Sequence, residues 1–186
     1  MKILILSPFK TATTSLNCTF KNNNIDVVKT HSYEKEYHDL YSHVFVVTRN
    51  QIDTYISAFF QDIDNPEFEY YFGEKEKVLN SSTEELIEHF NKFDWKSYDH
   101  LNKEYYLKLL QDHFDVDILI DEDEKYRIET KNGMFFILLR CEYLDEVFDE
   151  ICDRVKIPKI ELERHNVASY KWYNEIYLKF KDKMKS

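Results

Sequence analysis

Lys10 and the hydroxyls of Thr11, Thr13, Thr14 and Ser15 come just after the apolar run Ile3 to Leu6 and the stretch Ser7-Pro8-Phe9. A cation and four hydroxyls where a buried strand gives way to a helix suit anion recognition, because a helix's first N–H groups lack intrahelical partners and mark the positive end of its dipole. The stretch lacks both glycines of G-x-x-x-x-G-K-[ST], so it is not a Walker A loop, and a different phosphate-bearing ligand is indicated. Further basic side chains recur at later strand ends: Lys29 and His31 in Val28-Lys29-Thr30-His31, and Arg49 in Val47-Thr48-Arg49, with Ser57 eight residues further on.

The elements that must position these residues alternate along the first third of the chain. Hydrophobic periodicity predicts a strand at 2 to 6, a helix from about 12 to 21, a strand at 25 to 29, a helix at 33 to 41, a strand at 43 to 48 and a helix at 51 to 62. Such alternation implies a parallel sheet, and the continuously apolar runs Ile3-Leu4-Ile5-Leu6 and Val44-Phe45-Val46-Val47 imply strands covered on both faces. Ligands of such sheets bind at the carboxyl ends of the strands. On this topology Lys29, His31 and Arg49 converge with Lys10 and the hydroxyl-rich loop. Residues 64 to 80 read as a loop, Ser82-Thr83-Glu84-Glu85 as a capping box opening a helix to about Phe93, and Leu101 to His113 as a further helix of the same insertion. Val116 to Ile120 reads as a strand. Lys125 to Thr130 and Met134 to Arg140 flank an Asn132-Gly133 hairpin turn, and helices at 143 to 155 and 168 to 184 close the chain. No repeat or flexible linker divides it, so a single domain over 1 to 186 is expected.

Composition excludes several classes. A formal charge of −10 over 186 residues argues against a general nucleic-acid binder, while leaving room for a local basic pocket. Cys18, Cys141 and Cys152 are odd in number and lack C-x-x-C spacing, so they are expected as reduced thiols without a disulfide framework or zinc site. No apolar run reaches membrane-spanning length, and the chain reads as soluble and cytoplasmic. Asp121-Glu122-Asp123-Glu124 reads as a solvated turn rather than a metal site.

Simpler readings stand beside these. Thr13, Thr14 and Ser15 could cap a helix, Arg49 could pair with Asp53 on the next turn, His31 could be a loop residue, and Trp172, Tyr173 and Tyr177 are expected to pack a helix on the sheet.

The residues resemble those of the sulfotransferases. Pro8-Phe9-Lys10-Thr11-Ala12-Thr13-Thr14-Ser15-Leu16 is similar to their P-K-[ST]-G-T-[TS]-x-L loop, with Ala12 where that loop has glycine. The loop binds the 5′-phosphosulfate end of 3′-phosphoadenosine-5′-phosphosulfate (PAPS). The segment from Arg49 to Ser57 is similar to R-[DN]-P-x-x-x-x-x-S, with Gln51 in place of the proline, and implies that Arg49 and Ser57 hold the donor's 3′-phosphate. Lys29-Thr30-His31 is similar to the K-T-H whose histidine is the general base, and Arg140-Cys141-Glu142-Tyr143-Leu144 resembles a later [YR]-x-E-x-L. Tyr170-Lys171-Trp172-Tyr173-Asn174 stands where a subgroup named for capsular polysaccharide synthesis carries Asn-Lys-Trp-Tyr-Ser.

The resemblance implies a three-layer P-loop/sulfotransferase-like α/β fold with a mostly parallel sheet, a helical insertion and a β-hairpin in the second half. It implies transfer of a sulfuryl group from PAPS to a hydroxyl of a glycan or polysaccharide, with no metal. The cofactor-binding set is Lys10, Thr11, Ala12, Thr13, Thr14, Ser15, Arg49 and Ser57, and the catalytic set is His31, Lys10 and Lys29, with Glu34 as the fallback base. The alternatives are a non-catalytic nucleotide- or glycan-binding relative, or a P-loop small-molecule kinase.

Overall fold

In a computed structural model, which describes residues 1–8, 11–31, 40–121, 123–165 and 171–185, the strands form one sheet of five. They are β1 (Lys2–Leu6), β2 (Asp26–Thr30), β3 (His43–Thr48), β4 (Tyr126–Lys131) and β5 (Met134–Arg140), in the spatial order β2-β1-β3-β5-β4. β1 pairs in parallel with β2 on one side and β3 on the other, and β5 continues the parallel run beside β3. Only β4 is antiparallel, joined to β5 through Asn132 and Gly133 at φ 52° and 78°. Positive φ at both central residues gives the turn whose twist suits a two-residue hairpin, which is why Asn-Gly stands there.

Alternate strand residues point to opposite faces, and both faces are covered. On one, Ile3, Ile5, Phe45, Val47 and Leu139 pack with Leu16 and Phe20 of α1 (Thr13–Asn22) and with Phe148 and Ile151 of α6 (Leu144–Arg154). On the other, Leu4, Leu6, Val44, Val46 and Leu138 meet Tyr106, Leu110 and Phe114 of α5 (Lys103–Phe114). The result is three layers, as the apolar strand runs require.

The chain divides into two compact units. The first comprises 1–49 and 102–166 and contains this sheet; the second comprises 50–101 and 167–186. The second unit is helical: α2 (Gln51–Asp62), α3 (Lys75–Asn80), α4 (Thr83–Phe90) and α7 (Asn174–Lys185) enclose an aromatic core around Phe59, Phe60, Phe90, Trp95 and Phe180. Ser82 and Glu85 form the expected capping box at the start of α4. Asp53, buried near the start of α2, is held by Lys181 at 3.0 Å and Lys185 at 3.4 Å on α7.

Some expectations give way. Residues 116 to 120 form no strand: Val116 and Ile118 are buried on the α5 face of the sheet, but their backbone joins no ladder. Ion pairs flank this segment, Lys131 to Asp115 before it and Arg127 to Asp121 and Glu124 after it, and the Val116 N–H donates to the Leu110 carbonyl. Two of the acidic residues expected as a solvated turn are thus paired with arginine. The expected loop from 64 to 80 contains α3, and Tyr173 and Tyr177 pack in the aromatic core of the second unit rather than on the sheet. Leu40 and Tyr41 are not helical, and the rest of the expected helix at 33 to 41 lies outside the described residues apart from these two. Among the described residues no helix is long and apolar enough to cross a membrane.

Candidate functional site

The carboxyl ends of β1, β2, β3 and β5 lie along one edge of the first unit's sheet. The chain leaves β1 toward β2 and later returns to β3 on its other side, which makes the β1/β3 junction the switch point where open α/β sheets bind ligands. The strands part there. The β1–β3 ladder ends at Ile5 opposite Phe45, and the Val47 N–H donates to the Oγ of buried Ser7 at 2.6 Å.

α1 begins at this crevice. Its N-cap is Ala12, exposed and left-handed at φ 60°, ψ 12°, and among the described residues no side chain caps the helix. The hydroxyls of the loop therefore do not serve as its cap. A non-glycine residue in this region carries strain from its Cβ, at the position where the resembling loop has glycine. Thr11 donates its hydroxyl to the Pro8 carbonyl at 2.8 Å, bracing the loop from within, and Thr13 is buried. Thr14 accepts from the Lys29 ammonium at 3.3 Å. Ser15 turns elsewhere: its Oγ accepts the His165 N–H at 3.0 Å. Thr19 accepts the Glu163 N–H at 2.9 Å, so these two hydroxyls of α1 tether the segment 157–165. Lys10 lies outside the described residues, as does Glu34.

β2 supplies Lys29 and His31. Lys29 is half-buried, and burial lowers its ammonium below the usual lysine range, only partly opposed by the neighbouring Cys18. Among the described residues no carboxylate forms an ion pair with it. His31 follows the end of the strand. Its Nδ1 lies 2.8 Å from the Ser7 carbonyl, and since a carbonyl only accepts, Nδ1 carries the proton and donates. The neutral ring then has its lone pair on Nε2. The His31 carbonyl itself accepts from the hydroxyl of Tyr106 at 3.1 Å.

Arg49 is half-buried after the last residue of β3, beside Thr48, whose hydroxyl donates to the Leu139 carbonyl at 3.4 Å. Arg140 ends the neighbouring β5. Ser57 is half-buried on α2, in the second unit. At the start of α2, Asn50 caps the helix by accepting from Ile52 and Asp53, and the Gln51 side chain donates to the Leu101 carbonyl at 2.7 Å. Gln51 thus anchors the helix start that proline would otherwise fix through its φ angle. The first unit therefore brings Thr14, Lys29, His31 and the start of α1 together, while Ser15 is engaged with the segment 157–165.

Sequence reasoning missed Ser7, Tyr106 and His165. Ser7 sits one residue beyond the apolar run, where a buried hydroxyl at a strand end was a usable signal. Tyr106 and His165 carried none, because their partners stand 75 and 150 residues away. Among the described residues no three His, Cys, Asp or Glu side chains gather as a metal site. Comparison with protein-family models, curated proteins and solved structures finds no match to this chain.

Proposed function

We propose that the carboxyl edge of the first unit's sheet binds the phosphosulfate end of PAPS and that the chain is a sulfotransferase acting on a hydroxyl of a glycan. The observation that carries the anion site is Lys29: a half-buried ammonium on the Thr14 hydroxyl, with no described carboxylate partner, in a chain of net charge −10. Holding a charge there costs free energy in the absence of an anion and is repaid by one, since a charge-assisted hydrogen bond is stronger than a neutral pair. The start of α1 adds N–H donors beside Thr14, the residue that Lys29 touches. The Arg49-to-Ser57 spacing supports a second phosphate on the grounds of sequence.

The residues fit this donor at its 5′ end. PAPS supplies the activated sulfuryl group, and the chain's own residues do the rest. Lys29 and the α1 N–H groups bind and orient the phosphate, and Lys29 offsets charge developing on it. His31 takes the proton of the acceptor hydroxyl on Nε2, the nitrogen that the Ser7 carbonyl leaves unprotonated in the neutral ring. Its Nδ1–H keeps the ring oriented as that proton arrives.

A binding relative without turnover is the second reading, and it rests on Ser15, whose hydroxyl is engaged with His165. Calorimetric titration with adenosine 3′,5′-bisphosphate, ADP and ATP tests the nucleotide assignment. The 3′-phosphorylated nucleotide should bind most tightly and without magnesium; equal affinity for all three refutes it. Incubation with PAPS and a panel of hydroxylated glycans then separates the two readings, because binding without any sulfated product leaves only the second.

A further inference from the structure

The last pair of the β1–β2 ladder is Leu6 with Thr30, so His31 is the first residue beyond the ladder. Two of its partners among the described residues come from different layers. The Ser7 carbonyl, just past the end of β1, accepts its Nδ1–H, and Tyr106, which is 0 % exposed in the α5 layer, donates its hydroxyl to the His31 carbonyl. The Tyr106 ring packs among Leu6, Val44, Leu110 and Leu138, a role phenylalanine would fill equally well. Its hydroxyl has one partner among the described residues, and that partner is the backbone of His31. Burial raises the phenol well above the usual tyrosine range, so the hydroxyl keeps its proton and remains a donor.

We propose that Tyr106 is a positioning residue for His31: its buried hydroxyl fixes the His31 peptide while the Ser7 carbonyl fixes the ring, and together they hold the imidazole in the tautomer with its lone pair on Nε2. The proposal rests on the reading of His31 as the base. Tyr106 touches neither donor nor acceptor and acts through His31. Among the described residues Lys29, two residues earlier on β2, is a charged group at the same strand end, and its electrostatic effect is unchanged when the Tyr106 hydroxyl is removed.

The test is nitrogen-15 NMR of the His31 imidazole in the full chain, with Tyr106→Phe compared with wild type and with Tyr105→Phe as a hydroxyl-deletion control on the same helix. Wild type should give the Nδ1–H tautomer. Tyr106→Phe should lower the ratio of the Nδ1–H to the Nε2–H form about 2- to 10-fold, the loss expected for one hydrogen bond, and Tyr105→Phe should leave it unchanged. A folded Tyr106→Phe variant with an unaltered ratio overturns the proposal and makes Tyr106 a packing residue. Should that variant fail to fold, wild type decides: the Tyr106 hydroxyl proton should exchange slowly with water, and exchange at the rate of a solvated phenol overturns the proposal. These readouts require no donor and no turnover. Once sulfuryl transfer is detected, Tyr106→Phe should lower kcat and displace the acidic limb of the pH profile with donor affinity unchanged. A wild type that shows the expected tautomer but transfers nothing removes the sulfotransferase reading while leaving the positioning result intact.

Discussion

In the first unit the described polar side chains that are buried are Ser7, Thr11, Thr13, Ser15, Thr19, His43 and Thr48; in the second they are Asp53 and Thr54. The first unit buries aliphatic strands and keeps its interior hydroxyls mainly at the carboxyl edge of the sheet. The second buries rings on rings: Phe90 and Trp95 stack at 4.8 Å between centroids, and Phe60 meets Phe180 edge-on at 5.1 Å. Aromatic packing of this kind offers large area and few polar atoms, which suits a scaffold. An interior hydroxyl must find a partner or lose stability, so a cluster of them marks where the fold accepts a cost for chemistry. The contrast supports the proposal that the anion site around Lys29 lies in the first unit.

The largest effect should come from breaking the aromatic core. Phe59→Ala should destabilise the second unit by about 3–5 kcal/mol, since a buried phenylalanine leaves a cavity that its neighbours fill only in part. Hydrogen exchange should show protection lost in α2, α4 and α7 and retained in β1, β3 and β5. Equal loss in both units would mean that they unfold as one body and would dissolve the contrast.

Next is Lys29→Met. Losing a charged hydrogen bond costs about 1.5–3 kcal/mol, so adenosine 3′,5′-bisphosphate should bind roughly tenfold to a hundredfold more weakly. The unliganded protein should melt no lower than wild type. Burial lowers the folded pKa of Lys29, so its charged form is a liability at neutral pH that fades as pH rises toward the unfolded value of 10.5. A marked fall in melting temperature would make Lys29 structural.

Ala12→Gly should stabilise the chain by about 1 kcal/mol, because glycine adopts φ 60° without a Cβ penalty. It should also tighten nucleotide binding; a destabilised variant would contradict the left-handed start of α1.

The smallest effect concerns pH and the opposite edge of the sheet. His43 opens β3, its Nε2–H donating to the Val155 carbonyl at 2.7 Å and its Nδ1 lying 2.8 Å from the Ser42 hydroxyl. Burial lowers its pKa, the Val155 bond opposes that shift, and the N-terminal charge adds to it. The folded state thus favours the neutral ring: this contribution is complete above the unfolded value of 6.5 and is lost as pH falls through the lower folded value. Denaturant melts should lose stability over that acidic interval in wild type and less so in His43→Gln.

Much of the frame was legible because local rules and global packing agree. The strand at 43 to 48 and the helix at 51 to 62 fall where alternation places them, and Asn132-Gly133 makes the turn its chemistry demands. The segment 116 to 120 was misread because alternation reports only a half-buried face, whereas a strand also needs a partner for its backbone. Six-residue α3 carried too short a periodic signal to be seen.

The sequence by itself determined the apolar strands, the helix starts and the set of cations and hydroxyls at strand ends, because period and capping are properties of neighbouring residues. Only the tertiary structure decided which of those groups meet. Lys29 reaches Thr14 across 15 residues, Ser15 is taken by His165, and Tyr106 is set beneath His31 by a helix on the far face of the sheet. Hydrogen bonds between distant residues depend on strand order and layer packing, which no local pattern encodes.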